Sequence, residues 1–178
     1  MPSVRTSPDL RQAHGRAPRP PLYTPEQRVL RDTSKWTLVQ GLLAPVQFLV
    51  FAVSLVLVLR FLVTGAGLES ATISVVVKTL TLYTIMITGC IWEKVVFGKY
   101  LFAEAFFWED VFSMLVLALH TAYLWAVFTG ALDARGQMLL ALAAYATYLI
   151  NAGQFIWKLR LARLDMARAD AALAGAAR

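Results

Sequence analysis

Four apolar stretches of about twenty residues, a composition that is 58% hydrophobic, and basic residues gathered at the two ends of the chain predict an all-α fold. The expected architecture is an integral membrane four-helix bundle with an N-terminal interfacial helix and a helical, basic C-terminal extension. Only 16% of the 178 residues are charged, and a soluble domain of this length has too little interior to hide so much apolar surface. A bilayer hides it. The net charge of +6 comes from 17 Lys+Arg against 11 Asp+Glu, with seven of the cations before residue 36 and five after residue 157. Basic ends suit nucleic acid as well as membrane flanks, but the apolar centre offers no soluble fold to present them. No nucleic-acid partner is expected. The single cysteine, Cys90, falls in an apolar run, so one chain can build neither a disulfide framework nor a cysteine-rich metal site.

Residues 1–22 hold five of the seven prolines and four arginines with little apolar periodicity, the composition of a flexible basic tail. No stretch before residue 41 has the pattern of a cleaved leader. At Tyr23 the character changes: Thr24 suits an N-cap, Pro25 the first helical position, and Gln27 a capping box. An interfacial helix is expected over 23–40, with Trp36 at the boundary of headgroups and tails. The membrane domain follows over 41–157, with spans at about 41–63, 71–92, 106–128 and 138–157. Span one is interrupted by Pro45, Gln47, Ser54 and Arg60, the last placed to snorkel outward. Lys94 and Lys99 lie between spans two and three, whereas 64–70 carries no cation and 129–137 only Arg135. The positive-inside rule then puts both termini and the middle loop in the cytoplasm. From 158 to 178, alanine and leucine together with Lys158, Arg160, Arg163 and Arg168 continue span four as a basic helix and tail.

Each span has one polar face. At roughly 100° per residue, Glu109, Ser113 and His120 share a stripe about 40° wide on span three. Similar stripes, within about 80°, collect Gln40, Gln47 and Ser54 on span one, Ser74, Lys78, Thr81, Thr88 and Trp92 on span two, and Thr147, Asn151, Gln154 and Lys158 on span four. Lipid penalises such faces, so they should point inward. Their ordinary use is hydrogen bonding between helices, which accounts for the Ser, Thr, Asn and Gln residues without invoking a ligand. Lys78 and His120 lie deeper, each about 20 Å along its helix from the cytoplasmic end. A buried lysine is costly, so Lys78 is read either as rising toward the outer interface or as paired in an internal site. A lone histidine is more often a hydrogen-bonded core residue than a ligand, although its Nε2 can coordinate a metal or move a proton. Glu109 and Asp110 open span three behind Phe106, Phe107 and Trp108, near Glu93, Lys94 and Glu104. Carboxyls at a helix start are ordinary dipole partners, but among aromatics they are also competent acids.

The run Trp92-Glu93-Lys94, with Val95, Phe97, Gly98, Tyr100, Leu101, Phe102 and Ala103, leads into Ala105-Phe106-Phe107-Trp108-Glu109-Asp110-Val111-Phe112-Ser113-Met114 and Leu119-His120-Thr121-Ala122-Tyr123. Together with Tyr23-Thr24-Pro25-Glu26-Gln27-Arg28 and Trp36-Thr37-Leu38-Val39-Gln40-Gly41 upstream, it resembles the 2-vinyl bacteriochlorophyllide hydratase family over roughly 23–158. The resemblance implies a hydro-lyase of bacteriochlorophyll a biosynthesis that adds water to the 3-vinyl group of chlorophyllide a, giving the 3-(1-hydroxyethyl) derivative. It implies a bacterial inner membrane, cytoplasmic or intracytoplasmic and photosynthetic, as the location. Chlorophyllide a and the lipid bilayer are the implied partners, with self-association or contact with other pigment-biosynthesis enzymes left open.

Hydration needs an acid to protonate the terminal vinyl carbon and a group to orient and deprotonate the attacking water. Glu109, Asp110, Glu93 and His120 are the candidates. The preferred assignment is Glu109 as acid, with His120 as axial ligand to the substrate's magnesium or as water-orienting base. Lys94 or Lys99 is placed to hold the substrate's propionate or simply to anchor the surface. Phe107, Trp108, Phe112, Ser113, Tyr123, Lys78 and Asn151 complete the candidate binding set. The aromatics are equally suited to lining a pigment pocket and to an interfacial belt. No electrons move, so no cofactor is required, and the magnesium arrives in the chlorin macrocycle of the substrate. Two other classes compete. A non-catalytic pigment-binding or assembly protein would use the same histidine and aromatics. A small four-span transporter ordinarily needs a carboxylate deep in the membrane, and here the carboxylates lie near helix ends.

Overall fold

The computed structural model describes residues 22–176, so the tail expected over 1–22 lies almost wholly outside the described residues. Five helices follow in order: α1 (Pro25–Thr33), α2 (Lys35–Thr64), α3 (Leu68–Phe97), α4 (Phe107–Thr129) and α5 (Ala134–Ala176). Among the described residues there is no strand. α2, α3, α4 and residues 134–168 of α5 are long and apolar enough to cross a bilayer.

The capping box forms as the sequence suggests: the Gln27 N–H donates to Thr24 Oγ1 at 3.3 Å and the Thr24 N–H donates to Gln27 Oε1 at 3.0 Å. The interfacial helix does not run to residue 40, however. It stops at Thr33, because Ser34 takes an extended backbone and accepts the Trp36 N–H at 3.2 Å, capping a new helix. α2 therefore begins at Lys35, six residues before the expected span, and continues through Pro45 without a break. The span expected at 71–92 also lengthens at both ends, to 68–97. The fourth begins at Ala134 and passes into the basic extension with no interruption at 157.

Successive spans run antiparallel and two pairs form. α2 meets α3 through Gln40 Nε2 to Thr88 Oγ1 at 2.8 Å, Trp92 Nε1 to Thr37 Oγ1 at 2.9 Å, and the Ser54 and Ser74 hydroxyls at 2.7 Å. α4 meets α5 through Asn151 Nδ2 to Ser113 Oγ at 2.8 Å and Lys158 Nζ to Glu109 Oε2 at 2.6 Å. The pairs join where the Ser54 hydroxyl reaches the Tyr145 hydroxyl at 2.6 Å and where Phe51 packs on Tyr145 and Tyr148. Polar side chains on all four spans thus make the interhelical bonds expected of membrane bundles.

The bundle has two distinct ends. One, the loop end, carries α1, the connection 98–106 and the start of the α5 extension; the other, the far end, carries the short turns 65–67 and 130–133. An aromatic cap closes the loop end: Phe106 packs against Tyr23, Trp92, Phe97 and Phe155 with ring centroids 5.7–6.5 Å apart. Burial pushes the Tyr23 phenol above its ordinary range, an effect partly offset by the Arg31 guanidinium 4.6 Å over its ring.

Candidate active site

The ionisable residues of the interior fall into two groups. The first lies under the aromatic cap at the loop end. α3 ends at Gly98, whose φ of 78° is a left-handed turn that a side chain would strain. The chain then folds back so that the backbone of 98–106 meets the side chains of α3 and α4. Glu93 Oε1 accepts the Ala103 N–H at 2.7 Å, and Asp110 Oδ2 accepts the Phe102 N–H at 2.7 Å. Phe102 itself sits at a φ of 60°, which aims these consecutive amides at the two acids. The Glu93 and Asp110 carboxyls are thus brought side by side by two consecutive amides of the returning loop. Beside them Glu109, also buried, makes the 2.6 Å ion pair with Lys158, whose ammonium is 5.0 Å from the centre of the Phe106 ring.

The second group lies deeper. Lys78 is fully enclosed, its Nζ resting 3.8 Å over the Tyr148 ring and forming no hydrogen bond. This corrects the reading in which it rises to the outer interface: the side chain turns into the bundle, where the aromatic face attracts the ammonium. An isolated buried ammonium is costly by several kcal/mol, about the scale of a whole buried ion pair broken at one partner. His120 is also fully enclosed. Its Nδ1 lies 2.8 Å from the Val116 carbonyl oxygen, which can only accept, so Nδ1 carries the proton. In the neutral ring Nε2 is then a bare Lewis base, and it has no partner. The Tyr145 ring lies 5.9 Å away.

The structure brings Glu93, Asp110 and Glu109 together at one end, and Lys78 and His120 together in the middle, with the Asn151–Ser113 hydrogen bond between the groups. Tyr123 is buried beyond His120, toward the far end. Phe112 is half-buried, while Phe107 and Trp108 are 43% and 67% exposed and face outward, the arrangement of an interfacial belt. Lys94 donates to the Gly98 carbonyl at 2.8 Å, closing its own helix, and Lys99 is exposed. Lys158 was visible in the sequence as the end of a polar stripe, but its pairing with Glu109 was not. Tyr145 and Tyr148 were not among the sequence candidates: at roughly 100° per residue they lie about 80° or more from Gln154 and Lys158, outside the polar stripe of span four.

The chain matches the 2-vinyl bacteriochlorophyllide hydratase family over residues 23–161. A 2-vinyl bacteriochlorophyllide hydratase of Rhodobacter capsulatus is 71% identical over 150 residues, covering 84% of this chain and 87% of the relative. One of Cereibacter sphaeroides is 69% identical over 155 residues, covering 86% of this chain and 96% of the relative. No solved structure matches. The matched region holds both interior groups and all four spans, and the chain belongs to the 2-vinyl bacteriochlorophyllide hydratase family.

Proposed function

We propose that this membrane protein is a hydro-lyase that adds water to the ring vinyl group of chlorophyllide a, giving the 1-hydroxyethyl derivative in bacteriochlorophyll biosynthesis. Its relatives carry the hydratase name, and the observation that best supports the chemistry is the carboxyl cluster beneath the aromatic cap. Two carboxyls in contact share one proton more readily than they bear two charges. Glu93 and Asp110, held by consecutive amides, are placed to act as such a pair, whereas Glu109 is committed to Lys158. Proton delivery therefore falls to the Glu93–Asp110 pair in our reading, in place of the Glu109 that the sequence suggested.

The proton goes to the terminal vinyl carbon, the double bond supplies the electron pair for the new C–H bond, and the macrocycle delocalises the cation left on the inner carbon. Water adds there and returns its extra proton to the vacated carboxylate, so one water is consumed and the acid is regenerated. Glu109, as the negative end of its ion pair, stabilises the cation electrostatically. Trp92, half-buried at the cap, offers a flat face to the ring. His120 presents its bare Nε2 to the magnesium that the substrate brings, and the reading asks for no cofactor.

The arrangement also suggests an orientation. At the loop end stand Arg28, Arg31, Lys35, Lys94, Lys99, Lys158, Arg160, Arg163 and Arg168, against Arg60 and Arg135 toward the far end. The positive-inside rule puts the loop end, both termini and the carboxyl cluster on the cytoplasmic side of a bacterial inner membrane.

The test is to incubate membranes carrying the protein with chlorophyllide a in oxygen-18 water and to analyse the pigments by chromatography and mass spectrometry. Product heavier by one labelled water, absent from membranes without the protein, is the expected result. Pigment that binds but returns unchanged in several lipids and detergents would overturn the assignment in favour of a pigment scaffold.

A further inference from the structure

Lys78 is a cation enclosed in the bundle with no anion beside it. The described carboxylates of the spans and their turns lie toward the two ends: Glu93, Glu109 and Asp110 at the loop end, Glu69 and Asp133 exposed at the far end. Lys158 is occupied by Glu109 and Lys94 by the Gly98 carbonyl. Lys78 Nζ has only the Tyr148 ring against it. On α2, Gln47 is 2% exposed with both amide atoms unpartnered, one turn from the Phe51 ring that packs on the same Tyr148. A fixed ammonium and a free amide donor, without a resident acceptor, make a place for an anionic oxygen.

Distance gives that oxygen a source. Tyr148, beneath the ammonium, lies ten residues before Lys158 on α5, about 15 Å along the helix from the carboxyl cluster. That separation is of the order of the reach across a chlorin from its vinyl group to its propionate. We infer that Lys78 is the receptor for the pigment's carboxylate, an interior anion subsite that makes the enzyme select the free acid over its ester. The identity of the pigment rests on the hydratase reading. The placement differs from a surface clamp by Lys94 or Lys99: it puts the whole macrocycle between the two helix pairs, vinyl group toward the acids and carboxylate toward the middle of the bundle. Entry then requires the pairs to part along the seam that the 2.8 Å Tyr83–Thr121 hydrogen bond crosses.

The experiment compares two ligands on full-length protein in lipid nanodiscs: chlorophyllide a and its propionate methyl ester, each titrated by pigment fluorescence, with turnover followed on the same samples. Wild type is expected to bind the free acid at least tenfold more tightly than the ester. Lys78→Met should bring that ratio close to one chiefly by weakening the free acid, while Lys78→Arg keeps most of it. The proposal is overturned if wild type shows no preference, if the preference survives Lys78→Met, or if Lys99→Gln removes it instead. Where Lys78→Met fails to fold, Lys78→Gln is read in its place with the same expected loss of preference. Bound pigment that is never hydrated would instead count against the hydratase reading, and the ratio would still report on Lys78.

Discussion

At the residue scale the two loop-end carboxyls do two jobs, and amide substitutions separate them. Glu93 and Asp110 each accept a backbone N–H from the returning loop, at Ala103 and Phe102. A glutamine or asparagine in the same place still offers a carbonyl oxygen to that N–H but has no acidic proton to give. Glu93→Gln and Asp110→Asn should therefore leave the thermal midpoint within a few degrees of wild type and pigment affinity nearly unchanged. Turnover should fall by about 10²- to 10⁴-fold, the usual contribution of a positioned acid. Hydration rate, pigment titration and thermal unfolding on the same preparations check this. A large loss of affinity or stability with little loss of turnover would reduce the pair to a loop clamp. The sequence placed all three acids near one another because α4 opens with two of them. It could not distinguish them, since the ion pair of Glu109 depends on α5 returning antiparallel with Lys158 level with it.

At the element scale the site depends on how α3 stops. Gly98 holds a φ of 78° with its N–H on the Lys94 carbonyl, and this left-handed residue turns the chain back over the acids. An added Cβ would meet open space there, so the cost of a substitution is conformational, roughly 1–2 kcal/mol for a non-glycine residue in this region. Gly153 gives the contrast: it lies inside α5, also with open space around it, where alanine is favoured by roughly 0.5–1 kcal/mol. Gly98→Ala should lower the unfolding midpoint and slow hydration by displacing the 98–106 loop, while Gly153→Ala should raise the midpoint slightly. Thermal scans with parallel rate measurements test both signs. The number and order of the spans were legible because apolar runs and flanking charges are local properties. The break at Ser34 was not, because the polar run Arg31 to Lys35 suits an exposed helix surface as well as a turn, and the serine cap competes only once Trp36 is helical. The inward turn of Lys78 was hidden for a related reason, since Tyr148, which holds it, comes seventy residues later.

At the scale of the whole molecule the polar interior has a direction. The acids, the aromatic cap, α1 and most described cations share one end, and the unpartnered Lys78 and His120 lie between that end and the short turns opposite. If the cations set the insertion, then the chemistry, the returning loop and both termini face the cytoplasm, and pigment is processed from that side. Single cysteines test this in a Cys90→Ala background. Glu104→Cys places a thiol in the exposed loop between α3 and α4, and Ala131→Cys places one in the exposed turn between α4 and α5. A membrane-impermeant maleimide added to inside-out vesicles should label the first and spare the second, and right-side-out cells should give the reverse. Labelling of Ala131→Cys from the cytoplasmic side would invert the bundle. The nine loop-end cations would then lie outside against their usual bias, and the acids would have to be supplied with pigment from the opposite face of the membrane.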